Sequence, residues 1–323
     1  MNPIQSTMSL CAIMMALHGT AFAGGEGWSS DFEAAKKQAA ESKKDLLVDF
    51  TGSDWCGWCI KLNDEVFKLE PFKTGVKDSF VLVELDFPKD KSKLSEAIQK
   101  QNAELGKTYA VQGYPTILLC DADGRPYAST GYQPGGPEKY VAHLNTLRGK
   151  KTQRDEALST ASKATGPAKA KALIAALDAM KLQDAVVTHF YGDIAEQIKA
   201  ADPKDESGFG KKSAAKKLWA DFQTALQEFA SKQDMDGALA LVEKTLKDGG
   251  FEQEETLQMM MIRASIFAQQ KQFDKAIQAV DKAKAFSPDS PMIPQIDGFR
   301  KRLEDDKNKA ADTPAKEPAK PEK

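Results

Sequence analysis

The sequence predicts an α/β domain followed by an all-helical domain, and three observations carry that prediction. Short apolar runs typical of buried strands alternate with amphipathic segments as far as residue 149. From residue 150 to about residue 305 the β-branched runs disappear, and Ala, Lys, Leu and Gln recur at helical spacing. The 323 residues are 41% hydrophobic and 28% charged, which is enough apolar material for two ordinary cores.

In the first domain, strands alternate with helices before a closing hairpin and helix. The first helix is predicted to begin at an N-cap, Ser30, because Glu33 completes a capping box three residues later, and to end near Lys43. Four strands follow, with a helix before the third strand and another after the fourth. The strands are predicted at 46–50, 80–85, 116–120 and 127–130, the hairpin turn at 121–124, and the two helices at 93–105 and 137–147.

In the second domain, 150–305, apolar residues recur on one face of each predicted helix, which indicates core positions rather than a site. The clearest stripes are Leu173, Leu177 and Met180, and Leu218, Phe222, Ala225, Leu226 and Phe229. A third set has offsets that resemble one tetratricopeptide repeat: Ala264, Phe267, Ala276, Val280, Ala283 and Pro288. Residues 306–323 lack large apolar side chains and are predicted to form a disordered tail.

The N-terminal segment has the pattern of an export signal. An apolar run from Met8 to Leu17 is followed by Ala21-Phe22-Ala23, an A-x-A cleavage pattern, so residues 1–23 are predicted to be removed and the first domain to span 24–149. The segment before the run has no Lys or Arg, and a buried N-terminal helix is the alternative. We therefore expect an exported protein, periplasmic or secreted, with no membrane span in the mature chain.

Charge and cysteine content exclude several function classes. The 45 basic and 47 acidic residues give a net charge of −2, which offers no basic field for nucleic acid. Four cysteines are too few for a disulfide-stapled scaffold. Two of them, Cys56 and Cys59, are three residues apart and are placed just after a predicted strand, where a helix opens. Cys120 is predicted to be a buried core thiol.

The Cys56-Gly57-Trp58-Cys59 segment predicts redox chemistry. At the first turn of a helix, the unpaired N–H groups and the positive dipole end stabilise the thiolate of Cys56, which makes it the nucleophile. Cys59, one turn further in, is predicted to resolve the mixed disulfide. A tetrahedral metal site would need two further ligands that the sequence does not supply, so no metal or other cofactor is expected. A purely structural disulfide is the remaining alternative.

These residues resemble the thioredoxin superfamily, in particular the exported thioredoxin-like and disulfide-interchange domains of bacteria. The resemblance is carried by 47–50, Trp55 and the cysteine pair, 113–116 and Gly131, in that order. It implies that the Tyr114-Pro115 bond is cis and faces the disulfide, where the Tyr114 backbone pairs with a substrate. It also implies that Asp49 is a buried acid that accepts the Cys59 proton. An edge-strand acid and an ordinary strand-start proline are the alternatives for Asp49 and Pro115.

Three departures from the resemblance bear on mechanism. Between Asp49 and Cys56 the chain has one residue more than is usual, the strand 81–85 lacks the lysine that often accompanies the buried acid, and Trp58 replaces the usual proline.

The expected function is an exported thiol-disulfide oxidoreductase, with reduction or interchange favoured. Its partners would be protein disulfides or dithiols, contacted by Trp55, Gly57, Trp58, Tyr114 and Pro115, and a redox partner. The alternative is a partner-binding module in which the helical domain recruits a protein and the first domain is a platform.

Overall fold

The structure is a computed structural model that describes residues 27–312. The predicted signal, 1–23, and residues 313–323 of the predicted tail lie outside this range. The described residues form two compact units, divided between Lys204 and Asp205. None of the helices in the described part combines the length and apolarity needed to cross a membrane.

A five-stranded mixed sheet forms the centre of the first unit. Its spatial order is β1-β3-β2-β4-β5, with β1, β3 and β2 parallel and with β4 antiparallel to both β2 and β5. The strands are β1 (Trp28–Ser29), β2 (Asp45–Thr51), β3 (Phe80–Asp86), β4 (Thr116–Cys120) and β5 (Pro126–Thr130). The four predicted strands are confirmed to within one residue at each end; the two-residue β1 was missed because it is too short to show a pattern.

Within residues 27–312, seven helices belong to the first unit and five to the second. In the first unit they are α1 (Phe32–Ser42), α2 (Gly57–Leu62), α3 (Glu70–Val76), α4 (Glu96–Thr108), α5 (Gly136–Ser162), α6 (Gly166–Met180) and α7 (Asp184–Ala201), with a π-helical turn at Asn63–Phe67 and a 3-10 turn at Lys91–Lys93. In the second they are α8 (Phe209–Ser231), α9 (Met235–Asp248), α10 (Gln253–Gln269), α11 (Phe273–Phe286) and α12 (Ile293–Asp312).

The predicted start of α1 is wrong by one residue. Asp31 is the N-cap, because its carboxylate accepts a hydrogen bond from the Ala34 N–H at 2.9 Å. Ser30 lies between the end of β1 and this N-cap. The Glu33 carboxylate pairs with Lys36 instead of closing a capping box. A carboxylate is also the better acceptor at the positive end of a helix.

The two faces of the sheet have separate packing layers. On the α1 face, alternate residues of β2, β3 and β4 join a core with α1 and Tyr109. Its strand members are Leu46, Val48, Phe50, Val81, Val83, Leu85, Leu118 and Cys120. Because side chains alternate along a strand, Asp49 points to the opposite face. On that face Phe67, Phe72 and Tyr140 pack against one another, and Tyr140 comes from α5.

Helix α5 is much longer than predicted. It was expected to end near Leu147, but it continues unbroken for 27 residues to Ser162, so the predicted domain boundary at 149 lies inside it. Beyond Leu147, Arg148 and Lys151 both reach the buried carboxylate of Asp45. These ion pairs with a distant strand therefore stabilise α5 beyond its predicted end at Leu147.

The α5–α7 segment packs on the sheet through a buried arginine. Arg154 of α5 donates to Asp121 at 3.1 Å and to the Tyr191 hydroxyl at 2.9 Å. The Tyr191 hydroxyl in turn donates to the Pro126 carbonyl at 2.8 Å. Phe190 beside it stacks on Tyr109 of the core, with ring centroids 4.8 Å apart. Residues that the sequence assigned to the helical domain are therefore part of the first unit.

In the second unit, small residues bring α10 and α11 together. Ala264, Ala276, Val280 and Ala283 are fully buried, which confirms their predicted core positions. The earlier stripe is wrong in one place, because Leu218 is 42% exposed although Phe222 is buried. Helix α12 extends to Asp312, so the start of the predicted tail is helical. The likeness of this pair to a tetratricopeptide repeat stays a prediction.

Candidate redox site

The loop between β2 and α2 places the cysteine pair at the start of a helix. Cys56 is the N-cap of α2, and its sulfur accepts a hydrogen bond from the Cys59 N–H at 3.2 Å. The two residues form a disulfide with their Cα atoms 5.2 Å apart. Both are buried, with Cys56 6% and Cys59 4% exposed. The first sulfur therefore lies where helix N–H groups favour negative charge.

Two exposed tryptophans flank the disulfide. Trp55 is 41% and Trp58 59% exposed, which is unusual for side chains of this size. The Trp55 indole N–H donates to the Phe87 carbonyl at 2.8 Å, and its ring meets the edge of Tyr114 at 5.6 Å. A Cβ at Gly52 would lie 2.6 Å from the Trp55 ring, so this indole position requires glycine there. Gly52 was not among the site residues predicted from the sequence.

Trp58 belongs to a second aromatic group. Its ring packs against Tyr132, with centroids 5.2 Å apart, and the Lys61 ammonium lies over both rings. The Tyr132 hydroxyl donates to Glu65 at 2.6 Å. Tyr132 was also missed, although it directly follows Gly131, which carried part of the resemblance. We call Trp55, Trp58, Tyr114 and Tyr132 the aromatic rim.

The Tyr114-Pro115 peptide bond is cis, as the resemblance implied. The edge contact between Trp55 and Tyr114 brings this loop to the disulfide side of the domain. A Cβ at Gly131 would lie 3.2 Å from the Pro115 carbonyl oxygen, so the neighbouring loop also approaches closely. The cysteine loop, the Pro115 loop and the loop after β5 therefore meet at one end of the sheet. Substrate pairing by the Tyr114 backbone remains a prediction.

Asp49 is a buried acid in the middle of the sheet. It belongs to β2, which is flanked by β3 and β4, so the alternative of an edge-strand acid is wrong. Its side chain is almost fully buried, and its Oδ1 has no hydrogen-bond partner among the residues that the structure describes. Burial, followed by the negative charges of Glu84 and Asp86, raises the pKa of Asp49 well above its ordinary value.

Other candidate groups are accounted for by the core. Cys120, the free cysteine of the described part, is fully buried at the end of β4, which confirms its prediction as a core thiol. Burial raises its thiol pKa, so it is a poor nucleophile. Within residues 27–312, no three His, Cys, Asp or Glu side chains lie close enough together to hold a metal ion.

Comparison with known proteins agrees with this site. A family model described as a thioredoxin-like domain matches residues 32–148. The disulfide bond reductase DsbH of Chlamydia pneumoniae is 37% identical over 119 residues, which are 37% of this chain and 70% of that protein. The chain belongs to the thioredoxin-like family. With a Cys-x-x-Cys disulfide at the start of α2, its site is that of a thiol-disulfide oxidoreductase.

Other relatives match a smaller part of their own length. The thioredoxin-related protein DsbJ of Chlamydia pneumoniae is 33% identical over 98 residues, covering 30% of this chain and 28% of that protein. The thiol:disulfide interchange protein DsbD of Vibrio vulnificus is 29% identical over 112 residues, 34% of this chain and 17% of that protein. A solved structure of a DsbH oxidoreductase has 29% identity and a TM-score of 0.36, over 45% of this thioredoxin-like chain and 92% of that one.

Proposed function

We propose that this thioredoxin-like protein is an exported oxidoreductase that reduces or interchanges disulfides in other proteins. The observation that carries the proposal is the sulfur of Cys56 at the N-cap of α2, where it accepts the Cys59 N–H. The name of DsbH, a disulfide bond reductase, supports reduction as the direction. Export rests on the predicted signal, and an N-terminus at Gly24 on the purified extracellular or periplasmic protein would establish it.

The chemistry proceeds in two balanced steps from the dithiol form. The Cys56 thiolate attacks one sulfur of a substrate disulfide, forms a mixed disulfide and expels the other substrate sulfur as a thiolate, which takes up a proton. Cys59 then loses its proton, and its thiolate attacks the Cys56 sulfur. The Cys56–Cys59 disulfide forms and the second substrate sulfur leaves, also to be protonated. Two electrons pass from the protein to the substrate, and a separate reductant must restore the dithiol.

The aromatic rim is the proposed contact surface for a protein substrate. Rings that are 41% and 59% exposed beside buried cysteines offer apolar area that an extended segment can cover. The Tyr114 backbone next to the cis bond would pair with that segment as an added strand. Asp49, buried beneath this end of the sheet, is proposed to accept the proton of Cys59 during the second step.

Cysteine variants test the proposal. With dithiothreitol as reductant and insulin as the disulfide substrate, we expect Cys56→Ser to lose turnover to the uncatalysed rate. Cys59→Ser should accumulate mixed disulfides through Cys56, visible as adducts that reduction releases. Cys120→Ala, which removes the buried core thiol, is the matched control and should retain turnover. Equal turnover by wild type and Cys56→Ser would overturn the proposed function.

A redox titration against glutathione then gives the direction of electron flow. We expect a potential near −270 mV, the value of a reductase such as thioredoxin, and not one near −120 mV, the value of a strong oxidant. A value close to −120 mV would contradict reduction as the direction while leaving the thiol chemistry in place.

A further inference from the structure

Glu84 lies beside Asp49 on the neighbouring strand. In the parallel pairing of β2 with β3, Asp49 is the register partner of Glu84. Parallel strands are spaced about 4.8 Å apart, and register partners project to the same face. The opposite face is occupied by Val81, Val83 and Leu85 of the same strand, which confirms the direction of Glu84 by alternation. Two carboxyl groups therefore stand side by side on the face that carries α5.

A third carboxylate and a tyrosine share this face with the pair. Asp49 is almost fully buried, while Glu84 is partly exposed. The third carboxylate on this face, Asp86, is held by hydrogen bonds from the Ser53 N–H and hydroxyl at 2.8 and 2.6 Å. Tyr140 of α5 also faces the pair: burial, followed by the negative charge of Asp49, raises the pKa of its hydroxyl. Besides burial, the negative charges of Glu84 and Asp86 raise the pKa of Asp49, and the negative charge of Asp86 raises that of Glu84.

Two adjacent carboxylates on one largely buried face of a sheet do not both ionise readily. The second ionisation brings a like charge next to the first in a poorly solvated place, so the pair retains one proton over a range of pH in which isolated acids have lost theirs. The pKa values agree with this, since that of Asp49 is raised well above its ordinary value and that of Glu84 is raised to about 7.

We infer that Glu84 is a positioning residue that shares one proton with Asp49 and exchanges it with solvent during disulfide formation at Cys59. The inference rests on the proposed function. As Asp49 accepts the proton of the Cys59 thiol, Glu84 releases its proton to water, so the pair keeps a single negative charge throughout. The Cys59 thiolate then attacks the Cys56 sulfur and expels the substrate thiolate. Asp49 is too buried to exchange with water directly, and Glu84 provides the exposed end.

The pH dependence of the second step tests this inference. Reduced full-length protein is mixed with oxidised glutathione, and formation of the Cys56–Cys59 disulfide is followed by tryptophan fluorescence between pH 5 and 9. In Glu84→Gln, Asp49 loses its like-charged neighbour, so the inflection of the profile should shift to lower pH by about one unit. In Asp49→Asn the inflection should vanish, and adding Glu84→Gln should change nothing further. Glu104→Gln, at an exposed position of α4, is the matched control and should keep the wild-type profile.

Two results would overturn the inference. One is an unchanged inflection in Glu84→Gln; the other is an equal effect of that substitution with and without Asp49. If Glu84→Gln fails to fold, carboxyl carbon NMR of the wild type decides: a shared proton makes both signals titrate in two common steps, whereas independent single steps contradict sharing. A wild type that does not react with glutathione would defeat the proposed function instead, and the carboxyl titration would still report on the pair.

Discussion

Asp45 is a single residue on which several parts of the first unit depend. Its buried carboxylate accepts hydrogen bonds from the Tyr127 hydroxyl at 2.9 Å and from Lys151, and it pairs with Arg148 at 3.5 Å. The acid lies at the start of β2, while both basic partners belong to α5. One carboxylate therefore ties the central strand to the long helix, and this explains how an acid is tolerated at 3% exposure.

Replacing Asp45 should destabilise the first unit by about 3 kcal/mol, because removal of one partner leaves buried donors and charge uncompensated. The measurement is Asp45→Ala in a denaturant titration followed by labelling of Cys120, whose buried thiol becomes reactive only when this unit opens. Asp64→Ala, which removes an exposed ion pair with Lys68, is the control and should cost less than about 1 kcal/mol. Equal losses for both variants would contradict the structural role of Asp45.

Glu84 should also make the stability of the protein depend on pH. Burial, followed by Asp86, raises its pKa from 4.5 to about 7, so between these values the folded protein binds more protons than the unfolded chain. The free energy of unfolding should therefore fall as pH rises through this window. The free energy of unfolding of Glu84→Gln, minus that of the wild type, should rise by on the order of 1–2 kcal/mol from pH 4 to pH 8. Urea titrations of both proteins measure this difference. A constant difference across this range would disprove it.

The strands were predicted more accurately than the helix ends. The bounds of β4 are those expected, because a buried strand shows as an uninterrupted apolar run between turn residues. The start of α1 was misplaced because Ser30 and Asp31 are both good caps, and only the exit from β1 decides between them. The length of α5 depends on Asp45, about 100 positions away in sequence, and no local pattern contains that information.

The candidate site follows the same division. Cys56, Cys59, Asp49 and the cis Tyr114-Pro115 bond were indicated by motif spacing and by the resemblance. Tyr132 and Gly52 were missed because their importance lies in contacts with Trp58 and Trp55 across loops. The meaning of Glu84 likewise emerged only from strand register, although the absence of a lysine from β3 was visible in the sequence.

Shortening α5 should show where the first unit ends. A chain of residues 27–149 loses Lys151 and Arg154 together with α6 and α7, whereas 27–204 keeps them all. We expect the melting temperature of 27–149 to be lower by at least about 10 °C, since it lacks a buried arginine network and the ring that covers Tyr109. Calorimetry on both chains, with 27–204 as the reference, makes the comparison; equal melting temperatures would mean that α6 and α7 contribute nothing.

The redox chemistry of the first unit and the function of the second unit can be separated by experiment. The disulfide, the aromatic rim and the carboxyl pair all belong to the first unit. Residues 27–204 should therefore reduce a small disulfide at a rate within about twofold of the full chain. If residues 27–204 react more slowly than the full chain with protein disulfides but not with the small disulfide, the alternative function, recruitment of a protein by the helical unit, would be favoured. Loss of activity toward the small disulfide would contradict this division of roles.

The cap of α2 links oxidation state to local order. The Cys56 sulfur, which takes part in disulfide exchange, also accepts the hydrogen bond from the Cys59 N–H. A thiolate is a stronger acceptor than a disulfide sulfur, so we expect reduction to tighten the first turn of the helix and oxidation to loosen it. The amide proton of Cys59 thus acts as a reporter of the stored electrons, and its exchange rate with heavy water should be slower in the reduced protein. We expect a partner that binds this turn to distinguish the reduced protein from the oxidised one.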